Sequence, residues 1–141
     1  MSAEAERAAI ETCIEWHAAF NARDNEGMIS RMHFPHVRIA GGRLHVWETP
    51  EDFVAAQEQT TASLEAEGWA KTDNFSREVV HASEDKVHLS LRTSRSDTDG
   101  NVYHVFNTLW IFTLIDGRWG VQFRSSYIGD VAHGIGATTI G

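Results

Sequence analysis

At 141 residues the chain has the size of one typical domain, and its 42% hydrophobic and 23% charged residues are those of a globular protein with a single core rather than of a disordered one. Twelve Lys and Arg stand against twenty Asp and Glu, a net charge of −8, which is the wrong sign for affinity won by neutralising phosphates; no nucleic-acid partner is expected. Cys13, the single cysteine, can close no internal disulfide. Residues 1–7 lack the apolar core of a signal peptide, and no stretch approaches the roughly 18 apolar residues that cross a bilayer. These features predict a cytoplasmic chain with no membrane partner.

Between Ala5 and Asn21 the apolar residues Ala9, Cys13, Trp16 and Phe20 recur every three or four positions, which predicts an amphipathic helix. Asp24 is placed to cap a short second helix through Met28, Ile29 and Met32, which Pro35 ends. Val37 to Ile39 and Leu44 to Trp47 flank Gly41-Gly42, a pair suited to the positive φ of a hairpin turn. Thr49-Pro50-Glu51-Asp52 then supplies an N-cap hydroxyl, a proline where its missing N–H costs nothing, and acids at the positive end of the helix dipole. Phe53, Ala56, Thr60 and Leu64 share one face of that third helix, and Gly68 stops it.

After Gly68, alternating β-branched and aromatic residues predict four long strands, divided at Glu84-Asp85, Asp99-Gly100 and Asp116-Gly117. If the two Asp-Gly pairs are two-residue turns, Arg92 faces Asn107, Leu89 faces Trp110, Ile111 faces Gln122, Leu109 faces Arg124 and Asn107 faces Ser126. One sheet face is then apolar, with Leu89, Leu91, Trp110, Phe112, Val121, Phe123 and Tyr127. The other is mixed, with His88, Arg92, Asn107, Leu109, Ile111, Gln122, Arg124 and Ser126. A single β-bulge would exchange the faces beyond it. The stretch 129–141 reads as a loose tail on a single domain spanning 1–141.

Ala18-Ala19-Phe20-Asn21-Ala22-Arg23-Asp24 and Asp116-Gly117-Arg118-Trp119-Gly120-Val121-Gln122-Phe123-Arg124-Ser125-Ser126, in this order of elements, resemble the nuclear transport factor 2-like superfamily. The resemblance implies a cystatin-like α+β fold, a cone-shaped curved sheet wrapped on three N-terminal helices, as a homodimer with a pocket between the concave face and the first helix. The superfamily includes ketosteroid isomerase and SnoaL-like cyclases as well as binding modules, so the fold names no reaction. At the positions of the isomerase tyrosine, base and strand acid this chain carries Trp16, Ile39 or Ala40, and Leu109 or Ile111, none of which can move the proton.

The row Arg92, Asn107, Arg124 and Ser126 is the polar constellation that remains. Two guanidiniums on one face repel unless an anion lies between them. Arg92 and Arg124 also fall near two pocket arginines of the association domain of calcium/calmodulin-dependent kinase, which the chain resembles here. Two placements are open: the row lines the pocket, or it lies on the outer face against solvent or a second copy. Trp16, Phe20, Trp47 and Phe53 are expected to wall the pocket. His33 and His36 are the candidates for acid or base; Pro35 between them and the lack of a third ligand argue against a metal, and no cofactor is expected. The sequence thus predicts a pocket for a small-molecule ligand. If the chain is an enzyme, the expectation is isomerase-, lyase- or cyclase-like acid–base chemistry on a small organic acid or cyclic metabolite; the alternative is a non-catalytic binding or association module.

Overall fold

A computed structural model describes residues 2–128; the stretch 129–141, expected to be a tail, lies outside the described residues. The elements follow one another as α1 (Ser2–Asn21), α2 (Asn25–Ile29), β1 (Met32–Ala40), β2 (Arg43–Trp47), α3 (Pro50–Ala66), β3 (Trp69–Ala82), β4 (Lys86–Asp97), β5 (Val102–Ile115) and β6 (Arg118–Ser126). The six strands form one mixed sheet in the order β2-β1-β6-β5-β4-β3, in which only the β1–β6 pair is parallel. No helix among the described residues is long and apolar enough to cross a membrane.

Where boundaries depend on local chemistry they fall as the residues predict. Asp24 accepts a hydrogen bond from Gly27 N at 3.1 Å and caps α2. Thr49 Oγ1 accepts from Asp52 N at 3.2 Å to start α3, and Gly68, at φ +83°, follows its end. Ala40 and Arg43 pair across the Gly41-Gly42 turn, both glycines at positive φ. The second helix, however, ends at Ile29 and not at Pro35. Met32 already pairs with Val121 of β6, a partner far along the chain that no local signal announces, and Pro35 sits inside β1 where the ladder is interrupted between Met32 and Val37.

The core lies between α1 and the concave sheet face, with Ala9, Cys13, Trp16 and Phe20 packed on Leu89, Leu91, Trp110, Phe112 and Val121. From Lys86 to Arg95 the β4–β5 register is the predicted one, with Arg92 opposite Asn107 and Leu89 opposite Trp110, but Asp99-Gly100 is not the expected two-residue turn: only Gly100 has positive φ, Asp97 N bonds Asn101 O, and the ladder shifts between Arg95 and Ser96. Between β5 and β6 it holds only near the turn. Ile115 faces Arg118 and Phe112 faces Val121, but a bulge at Gln122 then sets Ile111 against Phe123, Trp110 against Arg124 and Thr108 against Ser126. Beyond the bulge the predicted faces are therefore exchanged: Phe123 turns outward with Ile111, Tyr127 is exposed, and Arg124 and Ser126 turn inward.

Candidate functional site

The bulge builds the site. It brings Arg124 beside Trp110 and, because β1 and β6 run parallel, next to its register partner Arg38. These two arginines join Arg95 of β4 around a cavity of about 30 Å³, roofed by Trp16, His17 and Phe20 of α1 and walled by Thr108 and Trp110 of β5 and Ser126 of β6. Arg124 is 1% exposed and Arg38 3%. α1 is held over the cavity by Asn21, whose side-chain amide donates to Thr72 O at 2.8 Å and accepts from Thr72 N at 2.9 Å.

Arg124 is gripped on several sides. Its guanidinium carbon lies 5.0, 5.4 and 6.0 Å from the ring centroids of Trp16, Trp110 and Trp47. Its Nε donates to His36 Nε2 at 2.9 Å, while His36 Nδ1 bonds Val121 O at 3.1 Å. The carbonyl can only accept, so the imidazole carries its proton on Nδ1 and offers Nε2 as acceptor. Burial, and then the charge of Arg124, hold His36 well below the usual histidine range, which keeps it in this neutral form.

Arg38 donates from Nη1 to Ser126 Oγ at 2.6 Å, and Ser126 Oγ lies 2.6 Å from Thr108 Oγ1. Thr108 spends its own proton on Ser125 O at 3.1 Å, so the Ser126 hydroxyl must donate to it; Trp110 Nε1 donates there as well, at 3.0 Å. Burial first, and the charge of Arg95 second, lower the Arg38 pKa to about 9; burial and then Arg38 bring that of Arg124 well down from the ordinary arginine value. Arg95 is matched by an acid: its Nη1 is 2.8 Å from Glu67 Oε1, which also accepts from Tyr103 at 2.5 Å.

His17 bonds Cys13 O through Nδ1 at 2.9 Å, which leaves the lone pair on Nε2, and its ring stacks on Trp110 at 4.7 Å. Burial lowers its pKa to about 4.

Of the residues singled out from the sequence, Trp16, Phe20, Arg124 and Ser126 line this cavity. Trp47 covers Arg124 from behind, and Phe53 is buried edge-on against Trp47 at 5.4 Å. Arg92 and Asn107 are not brought to it. They lie exposed on the outer face, Arg92 over the Phe75 ring, because the bulge parts them from Arg124 and Ser126. His33 bonds Arg118, through Nε2 to its carbonyl at 2.8 Å and through Nδ1 to its guanidinium at 3.2 Å, while His36 turns to Arg124. Among the described residues no three His, Cys, Asp or Glu side chains gather as metal ligands. Arg38, Arg95 and His17 were not legible as site residues. The one signal was Arg38 itself, a lone charge between Val37 and Ile39 in a strand pattern, whose inward direction depends on the distant β6.

A family model described as "NTF2-like protein (DUF6841)" matches residues 7–123. Among solved structures, an NTF2-like protein of unknown function from Pseudomonas putida KT2440 is 16% identical, covering 91% of this chain and 89% of its own, with a TM-score of 0.72. An NTF2-like protein with a cystatin-like fold from Novosphingobium aromaticivorans is 16% identical, covering 91% and 84%, with a TM-score of 0.70. A ketosteroid isomerase-like protein from Erwinia carotovora atroseptica is 17% identical, covering 86% and 93%, with a TM-score of 0.65. At these identities the likeness is one of fold. None of the curated proteins matches the chain.

Proposed function

The chain belongs to the NTF2-like family described as DUF6841, and from that premise we propose that it is a binding protein for a small organic anion, held between Arg38 and Arg124 beneath α1. One observation carries the reading: among the described residues the cavity lining contains three arginines and no carboxylate. Arg38, buried, meets the Ser126 hydroxyl and no carboxylate among the described residues, and an ion taken out of water costs several kcal/mol unless it is compensated. A carboxylate between the two guanidiniums offsets it with charge-assisted hydrogen bonds in a site where little solvent screens them.

Acid–base catalysis on a small acid is the second reading, and the lone pair of His17 in the cavity wall favours it. The isomerase-like neighbour makes such chemistry a natural comparison. Burial holds the His17 imidazole down to about 4, the basicity of a carboxylate. Binding is supported by three arginines of the lining and catalysis by one histidine, so binding is the better supported of the two. For the outer face, where Leu44, Val46 and Val105 are exposed beside Leu109, Ile111 and Phe123, the proposed partner is a second copy of the chain.

The test is the melting temperature with sodium acetate against sodium chloride at equal ionic strength. Acetate should raise it for the natural chain, and Arg124→Met and Arg38→Met should each abolish the rise. Arg38→Met also removes a buried like charge, so the unliganded variant should melt no lower than the natural chain, which keeps the binding result readable. Acetate acting equally on all three proteins would refute the arginine site.

A further inference from the structure

The hydrogen bonds around the cavity define which anion fits. Two buried N–H groups on its lining residues, Trp16 Nε1 and Arg38 Nε, have no acceptor among the described residues. Such donors are rare in native interiors, since each forfeits the water it bonded in the unfolded chain and gains nothing in exchange. Both side chains are otherwise fixed: Trp16 stacks on Phe20 at 5.2 Å and meets Trp110 edge-on at 5.0 Å, and Arg38 is anchored through Nη1 on Ser126. Neither can turn to find a partner among the described residues, so an acceptor that enters the cavity would satisfy both.

The space sets the size. A buried water needs about 10 to 15 Å³ of such volume, so a cavity of about 30 Å³ takes two or three waters or one anion of similar bulk. The walls do not yield easily. Trp110 is locked by its bond to Thr108, by His17 stacked on it at 4.7 Å and by Phe112 at 6.0 Å.

Resting on the anion-binding reading above, we infer that the ligand is a carboxylate no larger than acetate, with at most one heavy atom beyond the carboxylate carbon and oxygens, and that Trp16 Nε1–H and Arg38 Nε–H are its specificity-determining donors. The planar carboxylate has two oxygens and an acceptor lone pair for each donor. The apolar remainder of the ligand meets Phe20 and Phe106, which also line the cavity. A cyclic acid would have to displace the Trp16–Trp110 contact.

The experiment titrates sodium formate, acetate and benzoate into the natural chain and into Trp16→Phe, which keeps a ring in the roof and deletes only the N–H donor and part of the bulk. Melting temperature gives affinity, and the indole N–H resonance of Trp16, assigned by its loss in Trp16→Phe, gives contact. Formate and acetate should bind and move that resonance downfield, benzoate should not bind, and Trp16→Phe should weaken acetate about tenfold, the worth of one hydrogen bond to a charged group. If Trp16→Phe folds poorly, the resonance is assigned in the natural chain by triple-resonance and NOE experiments and then decides alone. Benzoate binding more tightly than acetate, or acetate binding with the Trp16 resonance unmoved, overturns this inference and leaves the anion site standing. Failure of all three acids to bind the folded natural chain overturns the anion site itself.

Discussion

Two buried histidines are each fixed through Nδ1 on a backbone carbonyl and differ in what Nε2 does. His36 uses both, giving Nδ1–H to Val121 O and taking Arg124 Nε–H on Nε2, so it positions the guanidinium and has no atom left for a substrate. His17 uses only Nδ1 on Cys13 O. Its pKa lies at about 4 against an ordinary 6.5, chiefly through burial, so the unfolded chain binds the extra proton between these two pH values and the folded chain does not. Stability from this group is complete above pH 6.5 and is lost as the pH falls towards 4, by roughly 3 kcal/mol in all. Urea midpoints at pH 7 and pH 4.5 should differ for the natural chain and differ less for His17→Phe, which retains the stack on Trp110. His36, also held low, accounts for part of the slope that remains. An unchanged difference in His17→Phe would contradict a buried neutral imidazole.

At the scale of the element, the bulge in β6 decides what the cavity contains. Gln122 occupies it and stitches it to both neighbouring strands, accepting from Thr113 Oγ1 at 3.0 Å and donating to Pro35 O at 3.2 Å. Pro35 in turn lies where β1 breaks register, so two irregular stretches face each other and the parallel pair resumes at Val37 and Phe123. Deleting Gln122 would restore a regular ladder, turning Phe123 in and Arg124 out; this should cost more than about 4 kcal/mol or prevent folding. Gln122→Ala keeps the bulge and loses only the two side-chain bonds, at about 1 to 2 kcal/mol. Circular dichroism melts of the two variants separate these outcomes. A deletion no more harmful than the alanine would mean that the bulge can form at another residue.

At the scale of the whole fold, α1 covers one side of the sheet, and among the described residues no element covers the other. Leu44 is 62% exposed there, and Val46 and Val105 are exposed on the same face, a grouping of apolar side chains of the kind that marks an interaction surface. Pairing through this face would cover it without closing the cavity, which lies on the opposite side under α1. Light scattering at micromolar concentration should give a dimer for the natural chain and a monomer for Leu44→Lys/Val105→Lys, whose exposed side chains carry little of the fold. A monomeric natural chain would leave this face without its proposed partner.

What the sequence determined by itself were the features that depend on neighbours along the chain. The 3.6-residue apolar spacing of α1, the Thr49-Pro50 cap, Gly68, the Gly41-Gly42 turn and the β4–β5 register from Lys86 to Arg95 are each decided within a few residues, and each is found where the residues predict it. The motifs at the end of α1 and in the last hairpin also identified the NTF2-like fold that the family match supports. The tertiary structure alone decided the site. Inward and outward alternate with every residue of a strand, so one extra residue at Gln122 moved Arg124 to the concave face and left Arg92 and Asn107 outside. Arg38 became its neighbour only because β1 pairs in parallel with a strand more than eighty residues later. Neither event has a local signature, since both are settled by how the bent sheet closes around α1.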